Sequence, residues 1–285
     1  MEERMPVGLQ RLVVPNPGPM TGPGTNTYLL GQDEVWVIDP GPELPVHGAA
    51  LLAALGGRRV AGIVCTHTHR DHSPLAAWLH ERTGAPRFGR RARHAAHQDP
   101  GFVAEVEPED GHLLGTDVGT VQLLATPGHA SNHLCVWWPV AGVLFTGDHV
   151  LEGVTPVILP PDGDMGEYLA SLERLRQLPL RAIAPGHGRL ITNPLENLAA
   201  LVAHRLRREA KVLAALAAVA AQGPVSLDDL LPLAYDDVPV AMHGWARYSL
   251  LAHLLKLVGE GRALCSGQPP VEGAADQRLF ELPAP

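Results

Sequence analysis

The stretch Thr66-His67-Thr68-His69-Arg70-Asp71-His72 places four metal-ligand side chains within six residues. It directly follows a short apolar run that has the pattern of a buried strand. In an extended segment, residues two apart point the same way, so His67 and His69 can share one metal ion. If the chain then turns, Asp71 and His72 can face a second ion. Imidazole and carboxylate groups are the expected ligands of zinc, so the stretch predicts a metal site at a strand end.

Three glycine-containing turns further along the chain offer the remaining ligands. Each follows a strand-like run, and together they are Thr126-Pro127-Gly128-His129, Phe145-Thr146-Gly147-Asp148 and Ala184-Pro185-Gly186-His187-Gly188. Loops at strand ends are common positions for functional sites, and glycines beside ligands let the backbone approach an ion closely. A lone histidine in such a turn is more often a surface or packed residue. The ordered set, with Asp148 able to bridge two ions, therefore predicts a two-metal centre.

Composition excludes several classes of protein. Of the 285 residues 46% are hydrophobic and 18% are charged, which is enough to bury a sizeable core. The formal net charge of −8 argues against non-specific coating of nucleic acid. The cysteines, Cys65, Cys135 and Cys265, are too sparse for a disulfide framework, and no apolar run is long enough to cross a membrane. We therefore expect a cytoplasmic protein without a membrane partner.

The pattern of apolar runs predicts an α/β fold in two domains. Short strands alternate with helical patterns from Thr27 to Pro185, which favours two sheets covered by helices. Beyond Asn193-Pro194 three helical stretches, the second capped by Ser226, precede two strand-like pieces joined by a Gly/Pro loop. That order is typical of a winged helix. We therefore predict a catalytic domain over 1–195 and a winged-helix-like domain over 196–285.

The four ligand segments resemble the signature of the metallo-β-lactamase superfamily. The resemblance implies an αββα sandwich with two divalent ions, expected to be Zn²⁺, at one edge. It implies that the first ion is held by His67, His69, His129 and Asp148. It implies that the second ion is held by Asp71, His72, His187 and Asp148.

A closer resemblance is to the β-lactamase-like protein 2 branch, whose members include a single-strand-specific endoribonuclease. It rests on Gly24-Thr25-Asn26-Thr27-Tyr28-Leu29, Ile38-Asp39-Pro40-Gly41, Leu144-Phe145-Thr146-Gly147-Asp148-His149, Tyr168-Leu169-Ala170-Ser171-Leu172, and His204-Arg205 with Arg208-Glu209. Class B lactamases usually carry cysteine where Asp148 stands, which argues against antibiotic hydrolysis. Di-iron flavoproteins carry glutamate where His69 stands, which argues against a redox centre. Glyoxalase II enzymes share all seven ligands, but their cysteine-rich segment is replaced here by Val150-Leu151-Glu152-Gly153-Val154.

The predicted mechanism needs no protein nucleophile. Two cations lower the pKa of a bridging water from ~15.7 towards ~7, which makes hydroxide available at neutral pH. We expect Asp71 to orient that hydroxide as well as to bind metal. His133 is a candidate for protonating the leaving group, although a packed, hydrogen-bonded histidine fits its position as well. Asp39, at a strand end, is expected to brace the ligand loop.

Three functions remain open from the sequence. The first is an endoribonuclease acting on single-stranded RNA, and the second is a thioesterase or glyoxalase II-like hydrolase acting on an acyl (thio)ester. The third is a non-catalytic metal-binding regulatory protein. A long basic groove beside the metals would indicate RNA, and a narrow apolar tunnel would indicate an acyl chain. The basic run Arg87, Arg90, Arg91 and Arg93 either binds phosphate or forms a solvated edge.

The C-terminal unit is expected to act without reading DNA. From Ala200 onward it carries nearly equal numbers of basic and acidic residues, and its third helix offers few cations. A sequence-specific DNA reader is usually more basic. We therefore expect it to form a wall over the active-site cleft or a contact in a homo-oligomer.

Overall fold

The apolar runs of the first 185 residues form two five-stranded sheets in a computed structural model that describes residues 5–95, 97–269 and 276–283. The first sheet has the order β1-β2-β3-β4-β5, with β1 Leu9–Val13, β2 Asn26–Leu30, β3 Glu34–Ile38, β4 Arg59–Val64 and β5 Arg87–Phe88. The second has the order β10-β9-β8-β7-β6, with β6 His112–Thr116, β7 Gly119–Ala125, β8 Leu134–Trp138, β9 Val143–Gly147 and β10 Ala182–Pro185. Strands β3, β4 and β5 run parallel, as do β9 and β10, and the other neighbours run antiparallel.

The alternation of side chains along the strands builds the layers. Along β3, Trp36 and Ile38 pack between the two sheets, where they meet Phe145 of β9. Val35 and Val37 point the other way, against helices α1 (Pro45–Leu55) and α2 (Leu75–Thr83). Helix α3 (Met165–Leu175) covers the outer face of the second sheet. The predicted αββα sandwich is confirmed.

The C-terminal segment has the predicted winged-helix order. Helices α4 (Pro194–Val219), α5 (Leu227–Ala234) and α6 (His243–Gly259) pack around one apolar core. A three-stranded antiparallel sheet of β11 (Val225–Ser226), β13 (Leu279–Glu281) and β12 (Leu264–Ser266) completes it. Ser226 caps α5, as the sequence predicts, because its hydroxyl accepts from Asp229 N. The structure adds a reciprocal bond, in which the Asp229 carboxylate accepts from Ser226 N. The predicted Gly/Pro loop between β12 and β13 lies partly outside the described residues.

Helix α4 joins the two units. Leu198 and Val202 pack in the α3 cluster on the second sheet, whereas Val212 and Leu216 pack in the winged-helix core. The predicted domain boundary at residue 195 therefore falls at the start of a helix that packs in both cores. This boundary stays a proposal. Because Ala252 of α6 also packs in the α3 cluster, the C-terminal unit is held against the sandwich. Among the described helices, none is both long and apolar enough to cross a bilayer.

Candidate metal centre

The chain turns at the ends of four strands bring the predicted ligands to one edge of the sandwich. The turns follow β4, β7, β9 and β10, the last two of which are parallel neighbours. Within each of three overlapping groups, the potential ligand atoms lie within 4.8 Å of one another. The groups are His67 with His69 and His129, His67 with His72 and Asp148, and Asp71 with His72 and His187. All seven side chains that the sequence singles out are therefore brought together.

Asp148 lies between the two halves of this cluster. Its Oδ1 is 3.3 Å from Nε2 of His72 and 3.3 Å from Nε2 of His187, while its Oδ2 is 3.9 Å from Nε2 of His129. Asp71 Oδ2 is 3.2 Å from Nε2 of His187. Ligands on one tetrahedral zinc ion stand about 3.4 Å apart, given Zn–N distances of about 2.0–2.1 Å. The spacing within the cluster is thus suited to small divalent cations, with one carboxylate facing both halves.

Hydrogen bonds on the outer ring nitrogens turn two imidazoles toward the cluster. The Thr66 hydroxyl donates to Asp39 Oδ2 at 2.8 Å, so it can accept from Nδ1 of His67 at 3.0 Å. Nδ1 of His72 lies 3.0 Å from the same Asp39 oxygen. Both rings then present the lone pair of Nε2 inward, which is the tautomer that a metal ligand requires.

Backbone carbonyls orient two further imidazoles. Nδ1 of His129 lies 2.7 Å from the Val157 carbonyl oxygen, and Nδ1 of His187 lies 3.2 Å from the Gly24 carbonyl oxygen. The inner atoms are left without partners: Nε2 of His67, Nε2 of His72 and Oδ1 of Asp148 are buried and make no hydrogen bond. Buried polar atoms without partners are costly, and a bound cation would satisfy them. The donor set and these orphaned atoms fit a divalent metal centre.

The protonation states of the cluster agree with that fit. Burial lowers the pKa of His67 and His129, and burial with the charge of His129 lowers the pKa of His69 to about 3. Burial lowers the pKa of His187, but the charge of Asp148 and a hydrogen bond to Asp71 raise it to about 10. His67, His69 and His129 are therefore neutral imidazoles, whereas His187 carries a proton that a bound metal would displace.

At two of the ligand turns, neighbouring atoms pack so closely against the backbone that only glycine fits. A Cβ on Gly186 would lie 2.5 Å from Asp148 Oδ1 and 2.9 Å from Cε1 of His72. Gly128 has a φ of +142°, and a Cβ there would lie 2.3 Å from the Tyr168 Cα. Any larger residue at these positions would push the ligand turns apart. These contacts show close backbone packing at both turns, and the expected approach of the backbone to an ion stays a prediction.

Asp39 braces the ligand loop, as the sequence predicts. Its carboxylate accepts from the Thr66 backbone N–H at 2.7 Å and the Thr66 hydroxyl at 2.8 Å, and it also contacts His72. The residue is only 2% exposed and has a φ of +49°, a conformation that asparagine also tolerates.

Asp39→Asn should therefore weaken metal binding without straining the backbone. An amide offers one acceptor oxygen where the carboxylate offers two, so one donor of Thr66 or His72 loses its partner. We expect an affinity loss of about 10–100-fold, measured by competition with a chromogenic chelator. Asp33→Asn, at an exposed residue, is the matched control. Equal affinities in both variants would contradict the bracing role.

His133 lies behind the cluster. It is fully buried, its Nδ1 lies 2.9 Å from the Thr126 hydroxyl oxygen, and its ring stacks on His67 with centroids 5.2 Å apart. It does not line the cleft described next. Its catalytic role stays a prediction, and these contacts favour the positioning of His67.

A cleft of about 730 Å³ opens over the metal cluster. Its floor contains His69, Asp71, His129, Asp148 and His187. Its walls are largely apolar and come from both units: Met20, Val157, Leu159, Ala241, Gly244, Trp245 and Tyr248. The expectation that the winged helix forms a wall of the cleft is confirmed. The cleft is neither a long basic groove nor a closed tunnel.

Several contributors to the site were not identified as such from the sequence. The carbonyl of Val157 holds His129, and the Thr25 hydroxyl donates to Asp71 Oδ2 at 3.3 Å. Trp245 and Tyr248 reach the cleft from α6, more than 50 residues after the last ligand. A backbone carbonyl has no residue signature, and an aromatic pair on a helix is more often core.

Comparison with known proteins agrees with the fold and the site. Residues 20–187 match the metallo-beta-lactamase superfamily, and residues 226–268 match the beta-lactamase associated winged helix domain. A beta-lactamase-like protein 2 homolog of Caenorhabditis elegans is 29% identical over 267 residues, 91% of this chain and 87% of that protein. An atrochrysone carboxyl ACP thioesterase of Aspergillus fumigatus is 35% identical over 211 residues, 72% of this chain and 64% of that protein.

A solved structure matches nearly the whole chain. The crystal structure of a metallo-beta-lactamase family protein from Thermus thermophilus is 26% identical, with a TM-score of 0.76, and the match covers 97% of this chain and 99% of that one. A sandwich with clustered imidazoles and carboxylates at one edge, extended by a winged helix, defines a metal-dependent hydrolase. The chain belongs to the metallo-β-lactamase superfamily, and its resemblance to the β-lactamase-like protein 2 branch is confirmed.

Proposed function

We propose that this protein hydrolyses acyl thioesters at a centre of two divalent metal ions, with zinc as the metal. His67, His69 and His129 would hold one ion, Asp71, His72 and His187 would hold the other, and Asp148 would contact both. When bound, the ions act as Lewis acids on the substrate carbonyl and lower the pKa of a water molecule. A cytoplasmic location stays a prediction from the cysteine usage.

The chemistry of the cleft wall carries the choice of substrate. Trp245, Tyr248, Val157 and Leu159 offer an apolar surface directly beside the cluster. Among the described lining residues Arg70 is the single arginine, and there is no lysine. Single-stranded RNA is usually bound in a groove whose positive charge follows the backbone. An apolar acyl group fits this wall better than a chain of phosphates.

The basic run of the sequence lies elsewhere. Arg90, Arg91 and Arg93 line a different cavity, of about 420 Å³. Arg93 is paired with Glu167, and Arg87 is paired with Glu105 at 2.6 Å. Arginines that lie outside the metal cleft, two of them paired with glutamates, add little to a phosphate track through it, which supports the thioester proposal.

The residues of the chain have separate tasks in this reaction. The apolar wall binds the acyl group and holds the thioester carbonyl over the cluster. Asp71 lines the cleft and accepts the proton of the attacking water. Burial raises the pKa of Asp71, but the charge of His72 and a hydrogen bond from His187 outweigh this effect and hold the pKa well below its usual range. The carboxylate is thus ionised at neutral pH, the state that metal binding and proton acceptance both require.

Endoribonuclease activity is the second candidate. Two observations favour it: the similarity to a β-lactamase-like protein 2 homolog extends over most of both chains, and the Trp245 and Tyr248 rings are partly exposed with centroids 6.4 Å apart. Exposed aromatic rings can stack on bases of single-stranded RNA.

One experiment separates the two activities. Metal-loaded protein is incubated with a panel of acyl thioesters and, in parallel, with single-stranded RNA. We expect thioester turnover that stops on addition of a chelator, and intact RNA. Trp245→Ala should raise the KM for aromatic and long acyl groups by about tenfold, since a large apolar contact is lost. Cleavage of RNA with every thioester intact would reject the proposal and support the endoribonuclease.

A further inference from the structure

A second cavity lies next to the metal cleft and shares Val157 and Trp245 with it. It encloses about 210 Å³ between the loop at 155–157, helix α4 and helix α6. Three basic side chains of α4 line it, namely His204, Arg205 and Arg208, and no carboxylate is among its described lining residues. We call this cavity, defined by its three basic residues, the arginine recess.

Arg205 is buried in the recess without a counter-charge. It is 3% exposed, its Nη2 donates to the Pro156 carbonyl, and its guanidinium lies 5.2 Å from the centre of the Tyr168 ring. Its Nε is buried and makes no hydrogen bond. Within the described part of the chain no carboxylate forms an ion pair with it. A buried cation without a partner is costly, so such a group calls for an anion.

The other two basic residues leave Arg205 as the uncompensated charge of the recess. Arg208 is 9% exposed and is paired with Asp237 at 2.8 Å, a residue that does not line the recess. Nδ1 of His204 is buried without a hydrogen-bond partner. Burial and the charges of Arg205 and Arg208 lower the pKa of His204, and burial with the charge of Arg205 lowers the pKa of His253 to about 3. Both shifts show that Arg205 makes the surroundings of the recess positive, although the charge of Asp237 partly offsets this effect at His204.

We propose that the arginine recess binds a phosphate monoester group on the leaving arm of the thioester in the metal cleft. Guanidinium groups are well suited to phosphate oxygens, and a cavity of 210 Å³ accommodates one such group. The shared wall of Val157 and Trp245 places the recess beside the reacting centre. The inference rests on the proposed thioester hydrolysis for the source of the phosphate. The proposal gives a ligand-binding role to the basic side chains of the motif His204-Arg205 with Arg208-Glu209.

The grouping of the basic side chains in one small recess favours a terminal phosphate over a polynucleotide. A nucleic acid backbone needs cations spaced along a continuous path. Here the basic groups line one recess. In the neighbouring cleft, Arg70 is the one arginine among the described lining residues. One dianionic group at the end of an arm satisfies this arrangement.

The test compares two thioesters that differ by one phosphate, the same acyl group on pantetheine and on phosphopantetheine. Metal-loaded protein should prefer the phosphorylated ester by about tenfold or more in kcat/KM, mainly through KM, because a charge-assisted hydrogen bond is gained. Arg205→Gln should abolish this preference. Arg207→Gln, which removes the same charge from an exposed neighbour outside the recess, should retain it.

A binding measurement separates failure of the recess from failure of the proposed function. Calorimetric titration with inorganic phosphate should give a site that is lost in Arg205→Gln and kept in Arg207→Gln, whether or not thioesters turn over. Turnover with equal preference in wild type and Arg205→Gln, and with unchanged phosphate binding, would overturn the recess and leave the thioesterase intact. RNA cleavage slowed by Arg205→Gln, with no effect on thioesters, would overturn the assignment of the phosphate to the leaving arm of a thioester.

Two further variants cover the case in which Arg205→Gln does not fold. Arg205→Lys keeps the charge and should retain part of the preference. His204→Gln, at a half-buried residue, should reduce the preference several-fold without unfolding the chain. If His204→Gln and a folded Arg205 variant both keep the wild-type preference for the phosphorylated thioester, the proposed phosphate site is rejected.

Discussion

Asp148→Ala is expected to reduce turnover by at least about a thousandfold and to lower the metal content below two ions per chain. The carboxylate lies 3.3 Å from Nε2 of both His72 and His187 and faces His129 from its other oxygen. Its loss removes a shared ligand from both halves of the cluster. Metal-ion catalysis contributes several kcal/mol, and each ~1.4 kcal/mol corresponds to a tenfold change in rate.

The same variant has a readout that does not depend on activity. A ligand that binds only the folded chain stabilises it by about 4 kcal/mol at a thousand times its Kd. A chelator should therefore lower the melting temperature of the wild-type protein clearly and that of Asp148→Ala much less. Glu43→Ala, at an exposed residue away from the cluster, should respond like wild type. Full metal content and an unchanged response to chelator in Asp148→Ala would contradict the assignment.

Asp71→Ala should reduce kcat by about a hundredfold to ten-thousandfold while the fold is retained. Asp71 is one of the cluster carboxylates that line the cleft, its side chain is 29% exposed, and it is held by the Thr25 hydroxyl and by His187. It is thus placed to accept a proton from water as well as to bind metal. The loss should fall mainly on kcat, because the apolar wall that binds the acyl group is untouched.

Two comparisons separate this role from a structural one. The circular dichroism spectrum and the melting temperature of chelated protein should be nearly the same for Asp71→Ala and wild type. Asp33→Ala, at an exposed residue, should keep full activity. An Asp71→Ala enzyme with near-normal kcat would show that another group takes the proton.

The local part of the site could be predicted from the sequence. His67 and His69 are two residues apart, so in an extended chain their side chains point the same way. Each of the later cluster residues after His72 follows a strand at a glycine-containing turn. The layers of the sandwich follow from the same period, since Trp36 and Ile38 alternate with Val35 and Val37. Such relations act over a few residues, so the amino-acid order is enough to read them.

The winged helix was also predictable as an element order, but its relation to the cleft was not. Ser226 marks the start of α5, which it caps through contacts with a residue three positions later. By contrast, α4 packs Leu198 on the sandwich and Leu216 in the winged-helix core. No local pattern states that one helix serves two cores.

The sequence by itself determined which seven side chains cluster at one edge of the sandwich, the layered fold and the order of the C-terminal elements. Only the tertiary structure decided that Trp245 walls the cleft and that Arg205 is buried beside it without a counter-charge. These placements depend on how α6 docks through Ala252 onto the α3 cluster, which is a matter of side-chain packing between distant segments. Packing of that kind is specified by complementary shape in three dimensions, and it leaves no period or spacing along the chain.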